Sequence, residues 1–316
     1  KYKRLTADYK NYCPLVFNDY MNCNWAIENN ERLLGLIDSA SEVGAEVFCI
    51  DDGWQTKQGL WYPADYKYDG LGVKGILDYI KSKNMIPGVW FEFETAPMEL
   101  AETLGDDIFL KRNGGLVAPH RPLGNFRSQK FLDYLYERVD ALYSMGVRYI
   151  KNDHNNGEDI GADNFGESNG EFLENNWREF VKFIDSLKEK YPDLIIENCA
   201  GGAKRSDWGT LKHFAIQSTS DQENYVKNPS IISGSVALMP PEKAGIWCFP
   251  YPIEFTKRTQ NHLSVSDKKK MADGVQTSFN LVNAFMGAMY LSGRIDDMDS
   301  VNLNILKEGI KVYKEN

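Results

Sequence analysis

Residues 147–155 read VRYIKNDHN and indicate the fold that the rest of the chain is expected to adopt. The run follows Gly146, which ends an amphipathic helical stretch, and it begins with the β-branched and aromatic residues of a strand. Its polar end alternates Lys151, Asp153 and Asn155, so a strand would present all three side chains on one face. They could form a simple ion pair at a strand end. They could also bind a polyhydroxylated ligand, with the carboxylate ionised by the adjacent cation.

Similar apolar runs with polar ends recur along the sequence and alternate with helix-period stretches. The predicted strands cover residues 15–18, 46–50, 86–91, 147–150, 194–197, 214–217, 244–249 and 288–291. The predicted helices cover residues 30–43, 73–83, 98–104, 128–145, 170–190, 207–211, 231–239, 276–286 and 304–313. Eight strands that alternate with helices almost without interruption, and with no obvious linker, favour a parallel α/β architecture. The prediction is a single-domain (β/α)8 TIM barrel over residues 1–316. No GxGxxG motif follows the first strand and no Walker A loop is present, so nucleotide-binding folds lose their main support.

The composition is that of a globular protein with one large core. The 316 residues are 42% hydrophobic and 26% charged, with a formal net charge of −9. Because no basic stripe occurs, the balance argues against a nucleic-acid partner. The sequence contains no signal peptide and no apolar run of the roughly 18–20 residues that a membrane span needs. A soluble protein, compatible with the cytoplasm, is expected, and the oligomeric state stays open.

The cysteines and histidines give no sign of a metal centre. The five cysteines are scattered, and Cys49, Cys199 and Cys248 lie in or beside apolar runs, where free thiols act as small core residues. The four histidines have no ligand spacing. The sequence therefore predicts neither a metal ion nor another cofactor.

The polar strand ends form a set that suits a sugar site. In a (β/α)8 barrel they meet on one face of the molecule. They are Asp51, Asp52, Trp54, Trp90, Glu92, Lys151, Asp153, Asn155, Cys199, Gly202 and Asp221. Carboxylates accept hydrogen bonds from hydroxyl groups, and indole faces stack on the C–H face of a sugar ring. Each type also has a structural alternative: the aspartates as helix caps, the tryptophans as packing residues and the cysteine as a small core residue.

Two of the carboxyl groups are suited to opposite roles in glycoside hydrolysis. In a retaining mechanism one carboxylate attacks the anomeric carbon while a second, protonated carboxyl group gives its proton to the leaving oxygen. Lys151 beside Asp153 favours the charged, nucleophilic form. Asp221 ends a Ser-Thr-Ser-Asp turn without an adjacent cation and is the better proton donor. Their separation is expected to be about 5–5.5 Å if the mechanism is retaining.

The sequence resembles the melibiase-type retaining α-galactosidases of glycoside hydrolase family 36. Five motifs occur in the order of that family: IDDGW at 50–54, PGVWFE at 87–92, KNDHN at 151–155, ENCAGG at 197–202 with Arg205, and STSD at 218–221. Two motifs depart from it. The usual Asn-x-Trp is NDY at 18–20, and the usual R-x-x-L-D-F is RPLGNF at 121–126. Both changes leave the catalytic pair intact and leave the exact substrate open.

The resemblance implies a role for each matching residue. Asp153 would be the nucleophile and Asp221 the acid/base in hydrolysis of terminal α-linked galactose. Asp51 and Asp52 would bind the hydroxyl groups that distinguish galactose. The other substrate-binding residues expected from the resemblance and from the strand ends are Trp54, Trp90, Arg121, Lys151, Asn155, Cys199 and Gly202.

Three alternatives share these residues. The small residues 200–202 leave room for an acetamido group, so an α-N-acetylgalactosaminidase stays open. A transglycosylase would differ only in how well water is excluded from the acceptor site. A non-catalytic galactose-binding barrel is the third, although such a protein would be expected to have lost one acid. Family members usually carry a β-sandwich before the barrel and a small β-domain after it, and neither is expected in residues 1–316.

Overall fold

A computed structural model describes residues 14–20, 30–155, 161–222, 224–250 and 273–315. The strands are β1 (Val16–Asn18), β2 (Val47–Ile50), β3 (Ile86–Phe91), β4 (Lys111–Arg112), β5 (Gly115–Leu116), β6 (Tyr149–Asp153), β7 (Ile195–Cys199), β8 (Ile216–Ser218), β9 (Ala244–Cys248) and β10 (Ala288–Leu291). All except the β4–β5 hairpin form one closed barrel in the order β1-β10-β9-β8-β7-β6-β3-β2. Every neighbouring pair in the barrel is parallel, which confirms the predicted (β/α)8 barrel.

Helices connect the barrel strands and cover their outer faces. They are α1 (Asn30–Glu42), α2 (Gly72–Ser82), α3 (Ala101–Leu104), α4 (Gln129–Ser144), α5 (Asn169–Lys190), α6 (Trp208–Leu211), α7 (Asn228–Leu238), α8 (Val275–Ala284) and α9 (Ser300–Glu315). Short 3-10 turns lie at Asp65–Lys67, Met98–Leu100, Asp106–Ile108, Tyr225–Lys227, Pro241–Lys243 and Ile295–Asp297. Because each strand returns through a crossover, consecutive barrel strands run in the same direction and their carboxyl ends meet at one face. No helix in the described ranges is long and apolar enough to cross a membrane.

The core has two layers, as strand alternation requires. Outward-facing strand residues pack against the buried sides of the helices in one large cluster. Inward-facing residues fill the barrel lumen: Val16, Val47, Cys49, Tyr149, Ile216, Trp247, Phe249, Ala288 and Tyr290. In the part of the barrel that the structure describes, the lumen is therefore packed rather than open, and the polar strand ends lie above it.

Three of the strands that carry polar motifs, β6, β7 and β8, extend further at their carboxyl ends than the apolar pattern predicts. The fourth barrel strand was expected at residues 147–150 and is observed at Tyr149–Asp153. Its backbone stays in register with β7, so that Lys151 lies opposite Glu197 and Asp153 opposite Cys199. Ladder hydrogen bonds depend on the backbone and not on side-chain polarity, so the strand continues through its polar residues.

Candidate active site

Asp153 is buried at the end of β6 and held by hydrogen bonds from three directions. Its Oδ2 accepts from Trp90 Nε1 at 3.1 Å and from Asn155 Nδ2 at 2.8 Å, and its Oδ1 accepts from the Gly201 amide at 3.0 Å. Burial alone would raise the pKa of Asp153. The charge of Lys151 and the hydrogen bonds outweigh burial, so the pKa lies below its ordinary value. Asp153 is therefore an oriented carboxylate at neutral pH.

Lys151 and Asp51 form a buried ion pair beside this carboxylate. Lys151 Nζ donates to Asp51 Oδ2 at 2.8 Å, and Asn18 Nδ2 donates to the same oxygen at 2.9 Å. The ammonium group lies 5.1 Å from the ring centre of Tyr20 and 5.4 Å from that of Trp247. Burial works against the charge, but Asp51 and other nearby carboxyl groups raise the pKa of Lys151, which keeps the cation. Tyr20, which stands where the Asn-x-Trp motif has its tryptophan, thus also places an aromatic ring beside Lys151.

Asp52 is half-buried in the loop after β2 and is held by two glutamines. Gln55 Nε2 donates to its Oδ1, and Gln58 Nε2 donates to its Oδ2 at 2.6 Å. Burial raises the pKa of Asp52, although both hydrogen bonds act in the opposite direction. These two glutamines were not predicted from the sequence. The only feature of the sequence that could have indicated Gln55 and Gln58 is their position in a polar loop, three and six residues after Asp52.

Asp221 follows β8 on the same face and has the opposite protonation tendency to Asp153. Burial raises its pKa to about 6, and the charges of Asp153 and Asp51 add to this effect while that of Lys151 opposes it. At neutral pH and below, Asp221 therefore holds a proton far more readily than Asp153 does. The charge of Asp153 thus reaches Asp221, although the two residues lie at the ends of different strands.

Gly202 allows the turn after β7 to approach Asp221 closely. Its backbone has a φ of +84°, and an added Cβ would lie 2.8 Å from the backbone nitrogen of Asp221. Only glycine combines that conformation with that contact. The predicted site residue Gly202 thus lies at the site, where it positions the segment that carries the second carboxyl group.

Arg121 reaches the site and pairs with a buried acid. Its guanidinium group donates to Glu92, whose other oxygen accepts from the Asn155 amide at 2.8 Å. Burial lowers the pKa of Arg121, while the charges of Asp52 and Asp153 act to raise it. Glu92 therefore links Arg121 to Asn155, whose side chain donates to the Asp153 carboxylate.

Two further predicted residues lie behind the surface of the site. Trp54 is fully buried, and its Nε1 donates to the backbone oxygen of Trp90 at 2.8 Å. This position matches the packing alternative and makes Trp54 a support for Trp90. Cys199 is also fully buried, and its thiol hydrogen-bonds to Asp153. Burial raises the pKa of Cys199, so it remains a neutral donor.

Loop aromatic residues near the site have different roles. Trp61 is buried and packs at 4.1 Å, ring centre to ring centre, on Phe91. Tyr62 and Tyr66 are exposed by 45% and 75%. Of the three aromatic residues, only the two tyrosines therefore present their rings to solvent, whereas Trp61 belongs to the core.

Glu197 is a buried acid below the site to which the sequence analysis assigned no role. It lies opposite Lys151 in the β6–β7 register, and Tyr149 Oη donates to its Oε2. Burial raises its pKa to about 7. The sequence could have indicated Glu197, because it lies two residues before Cys199 and therefore on the same face of the strand. Among the described residues, no group of three or more His, Cys, Asp or Glu side chains is arranged to hold a metal ion.

The fold and this site define a (β/α)8 barrel that carries a pair of carboxyl groups with opposite protonation tendencies. The comparisons with known proteins add the family. The chain belongs to the Melibiase family, whose model matches residues 3–315.

Curated relatives of the chain are α-galactosidases of bacteria and fungi. The chain is similar to the Escherichia coli α-galactosidase, with 29% identity over 230 residues, covering 69% of this chain and 32% of the relative. It is also similar to α-galactosidase Mel36A of Lactobacillus acidophilus, with 26% identity over 251 residues, covering 72% of this chain and 32% of the relative. The chain thus spans about a third of the length of these relatives.

Solved structures of α-galactosidases share the barrel. For AgaA of Geobacillus stearothermophilus the TM-score is 0.80 at 19% identity, covering 96% of this chain and 42% of that chain. For the Lactobacillus brevis α-galactosidase the TM-score is 0.78 at 18% identity, covering 99% of this chain and 43% of that chain. At these identities the likeness establishes the fold.

Proposed function

We propose that the protein is a retaining glycoside hydrolase that releases terminal α-linked galactose. The observation that carries the proposal is the pair of aspartates with opposed protonation, Asp153 ionised and oriented, Asp221 with a pKa of about 6. Membership of the Melibiase family and the α-galactosidase names of its relatives support the choice of sugar.

Hydrolysis would proceed in two displacements. In the first, a carboxylate oxygen of Asp153 bonds to the anomeric carbon, the glycosidic C–O bond breaks and the leaving oxygen takes the Asp221 proton. In the second, Asp221 removes a proton from water, the water oxygen bonds to the anomeric carbon and the bond to Asp153 breaks. Two inversions give retention. The hydrogen bonds from Trp90 and Gly201 fix the nucleophile in place, which favours a reactive geometry.

The substrate is proposed to be a carbohydrate with a terminal galactose. Asp51, Asp52, Lys151 and Asn155 supply charged and amide groups that can hold its hydroxyl groups, beside the Trp90 ring. Variants of the similar protein AgaA have been solved in complex with stachyose and with raffinose, which supports an oligosaccharide substrate. The net charge of −9 argues against a nucleic-acid partner, because the phosphate backbone is also negatively charged. We propose that residues 1–316 act as one catalytic barrel.

Hydrolysis of paired aryl α-galactoside and aryl α-N-acetylgalactosaminide substrates tests this proposal. We expect turnover of the galactoside, release of the α-anomer first by NMR, and losses of at least about 100-fold in Asp153→Ala and Asp221→Ala. Asp133→Ala, an exposed change on α4, is the control. Turnover of only the acetamido sugar would establish the alternative specificity. Initial release of the β-anomer would exclude retention, and binding of galactose without turnover would indicate a non-catalytic barrel.

A further inference from the structure

Two neighbouring helices on the outside of the barrel carry no charged side chain. α7 reads NPSIISGSVAL and α8 reads VQTSFNLVNA. Every other helix of more than four residues in the described ranges carries at least three charged residues, and the whole chain is 26% charged. A helix that borders water normally carries charged or polar residues on its outer side. The outer sides of α7 and α8 are therefore suited to contact with another surface.

The polarity of α8 is reversed with respect to the fold. Its buried side includes Gln276, Thr277 and Asn280, whose side chains are hydrogen-bonded inside the protein. Its outer side and the two residues that follow it present large apolar side chains, each exposed by 37–64%: Val275, Phe279, Val282, Phe285 and Met286. Their spacing of three or four residues places them in one row along the helix. Such a row is typical of a surface that a partner covers.

Residues at both ends of α7 extend this row sideways. Val226, just before α7, and Leu238, at its end, are exposed by 62% and 55%. Tyr225 packs edge-on against Phe279 with 5.7 Å between ring centres, which joins the start of α7 to α8. Consecutive helices of a (β/α)8 barrel run side by side in the same direction, so Leu238 lies towards the end of α8. We call these seven exposed residues the α7–α8 face: Val226, Leu238, Val275, Phe279, Val282, Phe285 and Met286.

The α7–α8 face has the size that a protein interface needs. Its seven side chains, each about half exposed, offer on the order of 600 Å² of apolar surface. That area is at the upper end of the largest apolar patch on a typical monomeric protein, which is about 300–600 Å². A standard interface covers about 800 Å² of each partner, of which somewhat more than half is apolar. The face and the polar residues around it can therefore form the interface of a stable dimer.

Charge favours a second copy of this chain as the partner. With a net charge of −9, two copies repel each other across most of their surfaces, but the α7–α8 face contributes no charge of its own. In a twofold symmetric contact a face meets itself, so an uncharged apolar row is its own complement, whereas a charged surface would lose hydration there without gaining a counter-ion. We propose that the α7–α8 face joins two copies of the chain into a symmetric dimer. The proposed dimer does not depend on the proposed function.

Placing a charge in the face provides the test. Val282→Glu and Met286→Glu would each set two carboxylates, one from each copy, into an apolar twofold interface. Met98→Glu is the matched control, because Met98 is similarly exposed, by 46%, but lies in the turn after β3. We expect the wild type to be dimeric in sedimentation velocity at about 10 µM, since interfaces of this size reach micromolar affinity or better. Both face variants should keep the circular dichroism of the wild type and raise the Kd of the dimer at least about 100-fold, while Met98→Glu stays dimeric.

Salt gives a second measurement that needs no variant. Raising NaCl from about 0.1 M to about 0.5 M should strengthen the wild-type dimer, because salt screens the repulsion between two acidic chains and leaves apolar burial intact. Weakening of the dimer by salt, a wild type that stays monomeric up to about 100 µM, or a dimer that survives both face variants would each overturn the inference. If a monomeric wild type floats with phosphatidylcholine vesicles and Val282→Glu does not, the face belongs to a lipid surface instead.

Discussion

At the scale of single residues, two aspartates acquire opposite properties from their surroundings. The sequence predicted the direction of both, since Lys151 lies two residues from Asp153 and Asp221 has no cation near it in the chain. It could not predict the donors that fix Asp153, because Trp90 and Gly201 come from other strand ends. The glutamines that hold Asp52 were missed for a similar reason, since amides in a polar loop carry no periodic signal.

The opposed protonation predicts an acidic optimum for activity. Asp153 must be ionised, and its lowered pKa keeps it so down to below its ordinary value of 3.8. Asp221 must be protonated, so kcat/KM should fall as pH rises through about 6. We expect a bell-shaped profile with its alkaline limb near pH 6, measured on an aryl α-galactoside. In Asp221→Asn that limb should disappear along with most of the activity; an unchanged limb would assign it to another group.

Removal of the Lys204 charge should move the same limb. Because that charge lowers the pKa of Asp221, Lys204→Met should raise the pKa and extend activity to higher pH. Lys212→Met, an exposed change just after α6, is the control and should leave the profile unchanged. A shift of the alkaline limb to lower pH in Lys204→Met would contradict the placement of Lys204 beside Asp221.

At the scale of elements, the barrel strands were predictable, but the carboxyl ends of β6, β7 and β8 lie beyond the predicted ones. Alternation of apolar runs with helical stretches identified each barrel strand, but register with β7 extends β6 through Asp153. The β4–β5 hairpin was missed because strands of two residues carry no periodic signal. Turns, too, depend on distant partners: the close contact between Gly202 and Asp221 joins the ends of β7 and β8.

This contact predicts a defect in catalysis for Gly202→Ala. The added methyl group would displace the Asp221 backbone, and a misplaced acid should lower kcat/KM by about 100-fold. Gly146→Ala is the control, since Gly146 also has a positive φ, +106°, but an added Cβ there meets no atom within 4 Å. Both variants carry backbone strain, and only the first should lose activity beyond its loss of stability. Equal kcat/KM in the two folded variants would show that the contact does not position Asp221.

At the scale of the whole molecule, the barrel buries more acids than bases around its upper lumen. Lys151 is surrounded by Asp51, Asp153 and Glu197, with Asp19 close to Asp51. Burial raises the pKa of Asp19 and of Glu197 to about 7 in each case. The sequence predicted an acidic site from strand ends, but the depth of these groups follows from closure of the barrel, which brings distant strands together.

The buried glutamate predicts how stability depends on pH. Because the folded chain binds the Glu197 proton more tightly than the unfolded chain, the free energy of unfolding falls as pH rises from 4.5 through about 7. That shift corresponds to about 3 kcal/mol between pH 4.5 and pH 8. Glu197→Gln keeps the shape and an acceptor for Tyr149 but cannot ionise. We therefore compare the free energy of unfolding of the variant with that of the wild type at each pH, measured by denaturant unfolding. This difference should shift in favour of the variant by about 3 kcal/mol between pH 4.5 and pH 8.

The control for this prediction is Glu308→Gln, which removes the same charge from an exposed position on α9. It should change the free energy of unfolding equally at the two pH values. The Glu197→Gln variant should still lose some stability as the pH rises over this range, because burial also raises the pKa of Asp19. If Glu197→Gln were equally destabilising at both pH values, the carboxyl group would have to be ionised in the folded barrel, held by Lys151. The lumen would then carry a compensated ion cluster, and the pH dependence would have to come from the other carboxyl groups with a raised pKa, Asp19, Asp52 and Asp221.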